Sequence, residues 1–285
     1  MERILIATDF SANATNAAEY AYALASQIKA DLVLYNAFIV PEQAPQVTNS
    51  VWPAYDYDEL RNDSNDDMRE LERHLRSKQQ KGHFEPSIRK SSEAGVVQEV
   101  ITDAAKKRHV SLVVMGTHGH SGVSGLLLGN HARRLIDSTN CPLLLVPAIA
   151  HPTTIKKIAF ATDFKDPEKD LAAIFKLIPL LKKLNAELLI THIYDETTSA
   201  FDFKMHLEGF LLELSNKADY PHIYYRLVKS DKPEKGLDWL CRFGQVDMLA
   251  MVHREKSFLE RVIEGSHTQK MADHISVPLL VIPEK

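Results

Sequence analysis

Arg3-Ile4-Leu5-Ile6-Ala7-Thr8-Asp9-Phe10 opens the chain and returns as Lys157-Ile158-Ala159-Phe160-Ala161-Thr162-Asp163-Phe164, an offset of 154 from Asp9 to Asp163. A strand-sized run that recurs together with its turn marks a duplicated domain. The halves also close alike. Cys141-Pro142-Leu143-Leu144-Leu145-Val146-Pro147 reappears as Val277-Pro278-Leu279-Leu280-Val281-Ile282-Pro283, now 136 residues on from Pro142 to Pro278. The offset falls by 18, so the second copy is shorter in its middle. The extra residues of the first are assigned to the stretch from Val40 to Asn65, expected as a long loop carrying Trp52, Tyr55 and Tyr57. Ala148 to Thr154 is expected as the linker, between a domain at 1–147 and a second at 153–285.

Each half alternates strands with helices. Ile4 to Ala7 is a short apolar run of the kind that forms a buried parallel strand. Ser11 is placed to cap a helix whose apolar face is Ala14, Ala17, Ala18, Ala21, Ala25 and Ile28. Leu32–Ala37, Leu112–Met115 and Leu143–Val146 are further strands, and Leu71 with Leu75 marks a charged helix. Val96, Val97, Val100, Ile101, Ala104 and Ala105 mark another helix, and Leu135 with Ile136 the next. In the second half Asp166-Pro167 starts a helix in which Pro179 is expected to introduce a kink. This alternation predicts a parallel sheet covered on both faces.

With 285 residues, 45% hydrophobic and 25% charged, the chain has the composition of a folded protein with room for two domains. A formal charge of −4 leaves no surplus of Lys and Arg to neutralise nucleic acid or an anionic membrane. Met1-Glu2-Arg3 leads straight into a strand, so no leader is expected, and no apolar run approaches the roughly 20 residues of a membrane helix. Cys141 and Cys241 have no zinc-type spacing and read as packing residues of a reduced, cytoplasmic protein.

Leu112-Val113-Val114-Met115 runs into Gly116-Thr117-His118-Gly119-His120-Ser121-Gly122-Val123-Ser124-Gly125-Leu126-Leu127-Leu128-Gly129-Asn130. Glycines there allow positive φ and let backbone N–H groups approach an anion. Asn130 is placed to cap the helix from His131 to Asp137, whose N-terminal dipole favours phosphate. The glycines alone suit either a phosphate cradle or a plain connection.

Taken with Ile4–Phe10, Glu93-Ala94-Gly95-Val96 and Cys141-Pro142, this stretch resembles the universal stress protein family, whose ATP-binding members carry G-x2-G-x9-G-[S/T]. Gly116, Gly119 and Gly129 match that spacing, with Asn130 in place of Ser or Thr. The resemblance implies, in each half, a five-stranded parallel sheet in the order 3-2-1-4-5 with helices on both faces. A ligand crevice would then lie at the switch point between the first and fourth strands. It implies that Ala7, Thr8 and Asp9 border adenine and ribose, with Ala37 against the base. Met115 and Gly116 would line the crevice, while Gly119, His120, Ser121, Gly129 and Asn130 approach the phosphates of ATP and its Mg2+.

With the 136 offset, Gly116 becomes Val252, Gly119 becomes Glu255, and Gly129-Asn130 becomes Gly265-Ser266. Losing a left-handed glycine costs about 1–2 kcal/mol. A carboxylate beside a phosphate costs about 4 kcal/mol at a surface-like dielectric. Together these offset most of the roughly 8 kcal/mol of a micromolar complex. The second half is therefore expected to bind no nucleotide, although Arg254 would lessen the repulsion.

His118, His120 and His131 read as loop histidines beside a phosphate site, because no carboxylate or cysteine completes a metal set. Asp9 and Asp163 read as turn-capping or ribose-contacting groups rather than catalytic acids. Asp66 to Arg73 reads as a solvated helix face, and the aromatic loop as either a lid or plain surface. No nucleophile, base and orienting group stand together, so any ATP hydrolysis is expected to be slow and incidental. Three functions follow: an ATP-binding regulator acting on an unidentified protein partner, a nucleotide-free interaction scaffold, or an enzyme acting on nucleotides. Leu143–Val146 and Leu279–Ile282 are expected to pair internally into a pseudo-dimer that stays single or assembles further as a homodimer.

Overall fold

The computed structural model describes residues 2–39, 57–117, 129–195, 200–254 and 275–284, with backbone alone at Tyr57 and at 200–206. The first half runs β1 (Arg3–Ala7), α1 (Ala12–Ile28), β2 (Asp31–Phe38), α2 (Tyr57–Ser77), β3 (Ile88–Ala94), α3 (Val97–Lys107), β4 (Leu112–Gly116), α4 (Asn130–Ser138) and β5 (Leu143–Val146). The second runs β6 (Lys157–Ala161), α5 (Pro167–Leu184), β7 (Glu187–Tyr194), α6 (Ala200–Ala218), β8 (Ile223–Lys229), α7 (Pro233–Phe243), β9 (Met248–His253) and β10 (Leu279–Pro283).

The described strands form one sheet in the order β3-β2-β1-β4-β5-β10-β9-β6-β7-β8. Each half is parallel throughout, in the 3-2-1-4-5 arrangement, as the resemblance implies. The seam is antiparallel, with Leu279 opposite Leu145, Leu280 opposite Leu144 and Val281 opposite Leu143. Two edges that would otherwise be open are thereby paired within one chain.

Side-chain alternation sends Ile4 and Ile6 to one face and Leu5 and Ala7 to the other. Helices α1, α2, α5 and α6 pack on the first face, and α3, α4 and α7 on the second. Helix α1 buries Ala17, Ala18, Ala21 and Ala25, whose small side chains let it lie close to the sheet. It also fastens the linker. Asn16 donates to the carbonyls of Pro147 and Ala150 at 3.1 and 3.0 Å, and Gln27 exchanges bonds with the Ile155 backbone.

The helix starts follow the sequence where a short polar side chain precedes the first turn. The Ser11 hydroxyl accepts from the Ala14 amide at 3.3 Å, and Asp166 caps α5 with Pro167 behind it. Helix α5 runs on through Pro179. Two expectations need correction. Residues 57–65, assigned to the long loop, are the start of α2, where Asp58 and Glu59 complement the helix dipole. Residues 40–56 of that stretch, including Trp52 and Tyr55, lie outside the described residues. Asn130 does not cap α4. Gly129 is the extended residue at the cap, φ −66° and ψ 164°, and Asn130 is already the first helical residue.

Candidate functional site

The site begins where β1 ends. The register sets Ala7 beside Met115 of β4, so the ends of the first and fourth strands lie side by side. Thr8 is buried. Its N–H donates to the Tyr35 carbonyl at 3.0 Å, and its hydroxyl accepts from Phe10 at 3.0 Å, which holds Phe10 in a left-handed turn at φ 61°. That turn throws Asp9 to the surface. Asp9 Oδ1 accepts from the Ser11 amide at 3.1 Å and from the Ser11 hydroxyl at 2.6 Å. The same hydroxyl accepts from α1, so carboxylate, turn and helix start form one chain of bonds.

A residue missed by sequence reasoning fixes this corner. Asn36, buried near the end of β2, donates through Nδ2 to the Thr8 carbonyl at 2.8 Å and accepts from the Ser64 hydroxyl of α2 at 3.0 Å. Its signal was an amide within the apolar run Leu32-Val33-Leu34-Tyr35-Asn36-Ala37-Phe38. Ala37, the next residue, is half-buried beside Glu93 of β3. The Tyr35 hydroxyl donates to the Glu93 carboxylate at 2.7 Å.

Gly116 ends β4 directly beneath α1. A Cβ there would stand 2.8 Å from the Asn13 carbonyl oxygen and 3.0 Å from its carbon. The need for glycine is therefore close approach, not the left-handed backbone expected; positive φ among described glycines occurs at Gly82 and Gly95. Thr117 follows, buried, its amide bonded to the Val146 carbonyl at 3.1 Å. Ala7, Thr8, Asp9, Met115 and Gly116 thus converge at one corner, with Ala37 on the neighbouring strand. Gly129 and Asn130 begin α4 at the far end of the loop. Gly119, His120 and Ser121, with His118, lie outside the described residues. His131 sits exposed on α4, and no group of three or more His, Cys, Asp or Glu among the described residues could hold a metal.

The second half repeats the frame and changes its contents. Phe160 lies beside Ala250 as Ile6 lies beside Val114, so the 136 offset holds through β9 and Val252 stands in Gly116's place. Thr162 again accepts from Phe164, at 2.9 Å, with Phe164 at φ 53°. His192 replaces Asn36, its Nδ1 2.9 Å from the Thr162 carbonyl; burial holds the imidazole's pKa below its ordinary value. Asp163 Oδ1 accepts from the Lys165 amide at 3.3 Å.

Helix α5 begins at Pro167, 155 residues after Ala12 of α1 and so one beyond the 154 offset, and it is one residue longer. The left-handed residues that end the two helices, Lys29 and Asn185, are 156 apart, not 154. In that alignment the buried Ala14 becomes Asp170, 2% exposed. Asp170 accepts from the Thr162 hydroxyl and pairs with Arg254 at 2.6 Å. Burial pushes its carboxyl above the usual carboxylate range, and the Thr162 hydroxyl and Arg254 charge pull it back. A cavity of about 820 Å³ remains there. Its charged lining includes Asp137, Asp163, Asp166, Asp170 and Glu284 against Lys165, Lys169 and Arg254. These cations are already committed: Lys165 to Asp163, Lys169 to Asp166 and Glu284, and Arg254 to Asp170. Asp137 reaches in from α4 of the first half and faces His253 at 3.3 Å.

The model of the universal stress protein family matches residues 1–147 and again 154–283. The chain belongs to the universal stress protein family. Its tandem form is shared by a universal stress protein from Archaeoglobus fulgidus, whose crystal structure superposes with a TM-score of 0.73 at 18% identity. That likeness covers 99% of this chain and 98% of the other, and it bears on the fold. Universal stress protein E of Escherichia coli is 38% identical over 64 residues, 22% of this chain and 20% of that protein. The match thus spans about a fifth of that relative's length. Universal stress protein YxiE of Bacillus subtilis is 28% identical over 150 residues, half of this chain and 97% of its own. Among the described residues no helix is long and apolar enough to cross a membrane.

Proposed function

We propose that this universal stress protein is an ATP-binding regulator with one nucleotide per chain, held in the first half. The observation that carries the reading is the contrast between two superposable corners. In the first, Gly116 keeps β4 close under α1 and Asp9 stands exposed beside it. In the second, Val252 takes the place of Gly116, Asp170 that of Ala14 with Arg254 paired to it, and five carboxylates face three cations that are already paired. A triphosphate entering that cavity would meet net negative charge at close range. In the first crevice, Ala7, Thr8, Asp9 and Ala37 would receive the nucleoside. Met115 and Gly116 would form the floor, and Gly119, His120, Ser121, Gly129 and Asn130 would surround the phosphates, with Mg2+ entering as their counter-ion. The N-terminus of α4 favours that placement. Nucleotide occupancy would reset the surface that this corner shows to a protein partner. The free thiols of Cys141 and Cys241, which burial pushes up to about 11 and about 12, suit a reduced cytoplasm.

The test is nucleotide released on denaturing freshly purified protein, set beside Gly119→Glu. The reading expects close to one adenine nucleotide per chain, its loss in Gly119→Glu, and an unchanged circular dichroism spectrum. Protein that carries and binds none would instead be a scaffold with both crevices vestigial.

A further inference from the structure

The two halves differ most sharply on their outer margin. Ile88 of β3 lies opposite Leu32, and Ile223 of β8 lies opposite Leu188, so the two edge strands superpose residue by residue. Helices α3 and α7, eleven residues each, superpose likewise. Arg89, Lys90 and Ser92 on β3 correspond to Tyr224, Tyr225 and Leu227 on β8. Asp103 and Lys107, an exposed ion pair at 3.6 Å on α3, correspond to Trp239 and Phe243, whose rings meet at 6.1 Å on α7. The five apolar replacements are between 41% and 66% exposed. Two superposable surfaces under one folding constraint, one charged and one aromatic, point to a demand on the second that the first does not carry.

Strand β8 ends the sheet, and no further strand lies beyond it among the described residues. The amide of Leu188 donates to the His222 carbonyl and that of Ser230 to the Tyr194 carbonyl, so even-numbered residues of β8 turn their backbone groups toward β7. By alternation, Ile223, Tyr225 and Leu227 turn theirs outward. We infer that this edge pairs with the same edge of a second copy, antiparallel about a two-fold axis at Tyr225. That register sets Tyr225 opposite its own mate as a hydrogen-bonded pair and Ile223 opposite Leu227. It brings Arg226 across from the face of Tyr224, a cation–π arrangement. An axis at Arg226 would place two guanidinium groups directly opposite, which is unfavourable. The same antiparallel logic already joins β5 to β10 within the chain. The other end of the sheet carries Arg89, and Lys90 bound to Glu72, so self-pairing there is opposed and assembly closes at two copies.

The experiment is light scattering on the full chain from about 1 to 100 μM, with Tyr225→Lys/Leu227→Ser, which installs the residues of the first half. The wild type is expected to have the mass of two chains. The double variant should keep its melting transition and dissociate at concentrations at least about tenfold higher. Tyr225→Cys should link two chains on oxidation, since facing Cα atoms of a hydrogen-bonded pair lie about 5.5 Å apart, within disulfide reach. Arg226→Cys and the wild type should not. A wild type that stays single throughout, a double variant that dimerises as well as wild type, or linkage through 226 in place of 225 overturns the proposal. So does a single chain whose edge instead retains an extended peptide.

Discussion

Arg254 Nη2 lies 2.6 Å from Asp170 Oδ1, joining the end of β9 to the first turn of α5 across the second crevice. Both side chains are largely buried, 15% and 2% exposed, so water screens the pair little. Removing one partner leaves the other charge stranded. Arg254→Ala should destabilise the fold by about 3 kcal/mol or more in urea denaturation. Adding Asp170→Ala, the residue type found at Ala14, should recover at least about 1 kcal/mol of that loss. Additive losses would show that the pair is not coupled.

Gly116→Ala should destabilise the first half by about 1–3 kcal/mol, because its Cβ would press on the backbone of Asn13, which cannot move as a flexible side chain does. Denaturant midpoints read this directly. A change within about 0.3 kcal/mol would mean that β4 and α1 are not held as closely as described.

His192 gives a pH dependence whose sign follows from its burial. Its folded-state pKa lies below the ordinary 6.5, so below about pH 6.5 the unfolded chain takes up the proton first. Stability contributed by the neutral ring is therefore present above that pH and is lost as pH falls toward the folded-state pKa. His192→Asn, the arrangement of Asn36, should flatten the wild-type loss of stability between pH 7.5 and pH 5.5. An equal slope in both proteins would contradict this account of His192.

The frame was legible in the sequence because the offsets record it. Asp9 and Asp163 follow corresponding strands at the same distance, and Leu144 meets Leu280 at the seam. What lay beyond reach came from small shifts and from contacts between distant residues. The offset grows from 154 at Phe164 to 156 at the end of α5, which hid the replacement of Ala14 by Asp170. The crowding of Gly116 by Asn13 joins residues about a hundred positions apart, and glycine's usual association with left-handed turns pointed to the wrong cause. Asn130 looked like a cap by residue type. The extended φ and ψ belong to Gly129, one residue earlier, which settles the helix start.

Calorimetric titration of nucleotide-stripped protein with MgATP counts the sites. A stoichiometry of one per chain, unchanged in Arg254→Ala and abolished in Gly119→Glu, is the outcome this account predicts; two sites per wild-type chain, or one that persists in Gly119→Glu, would contradict it.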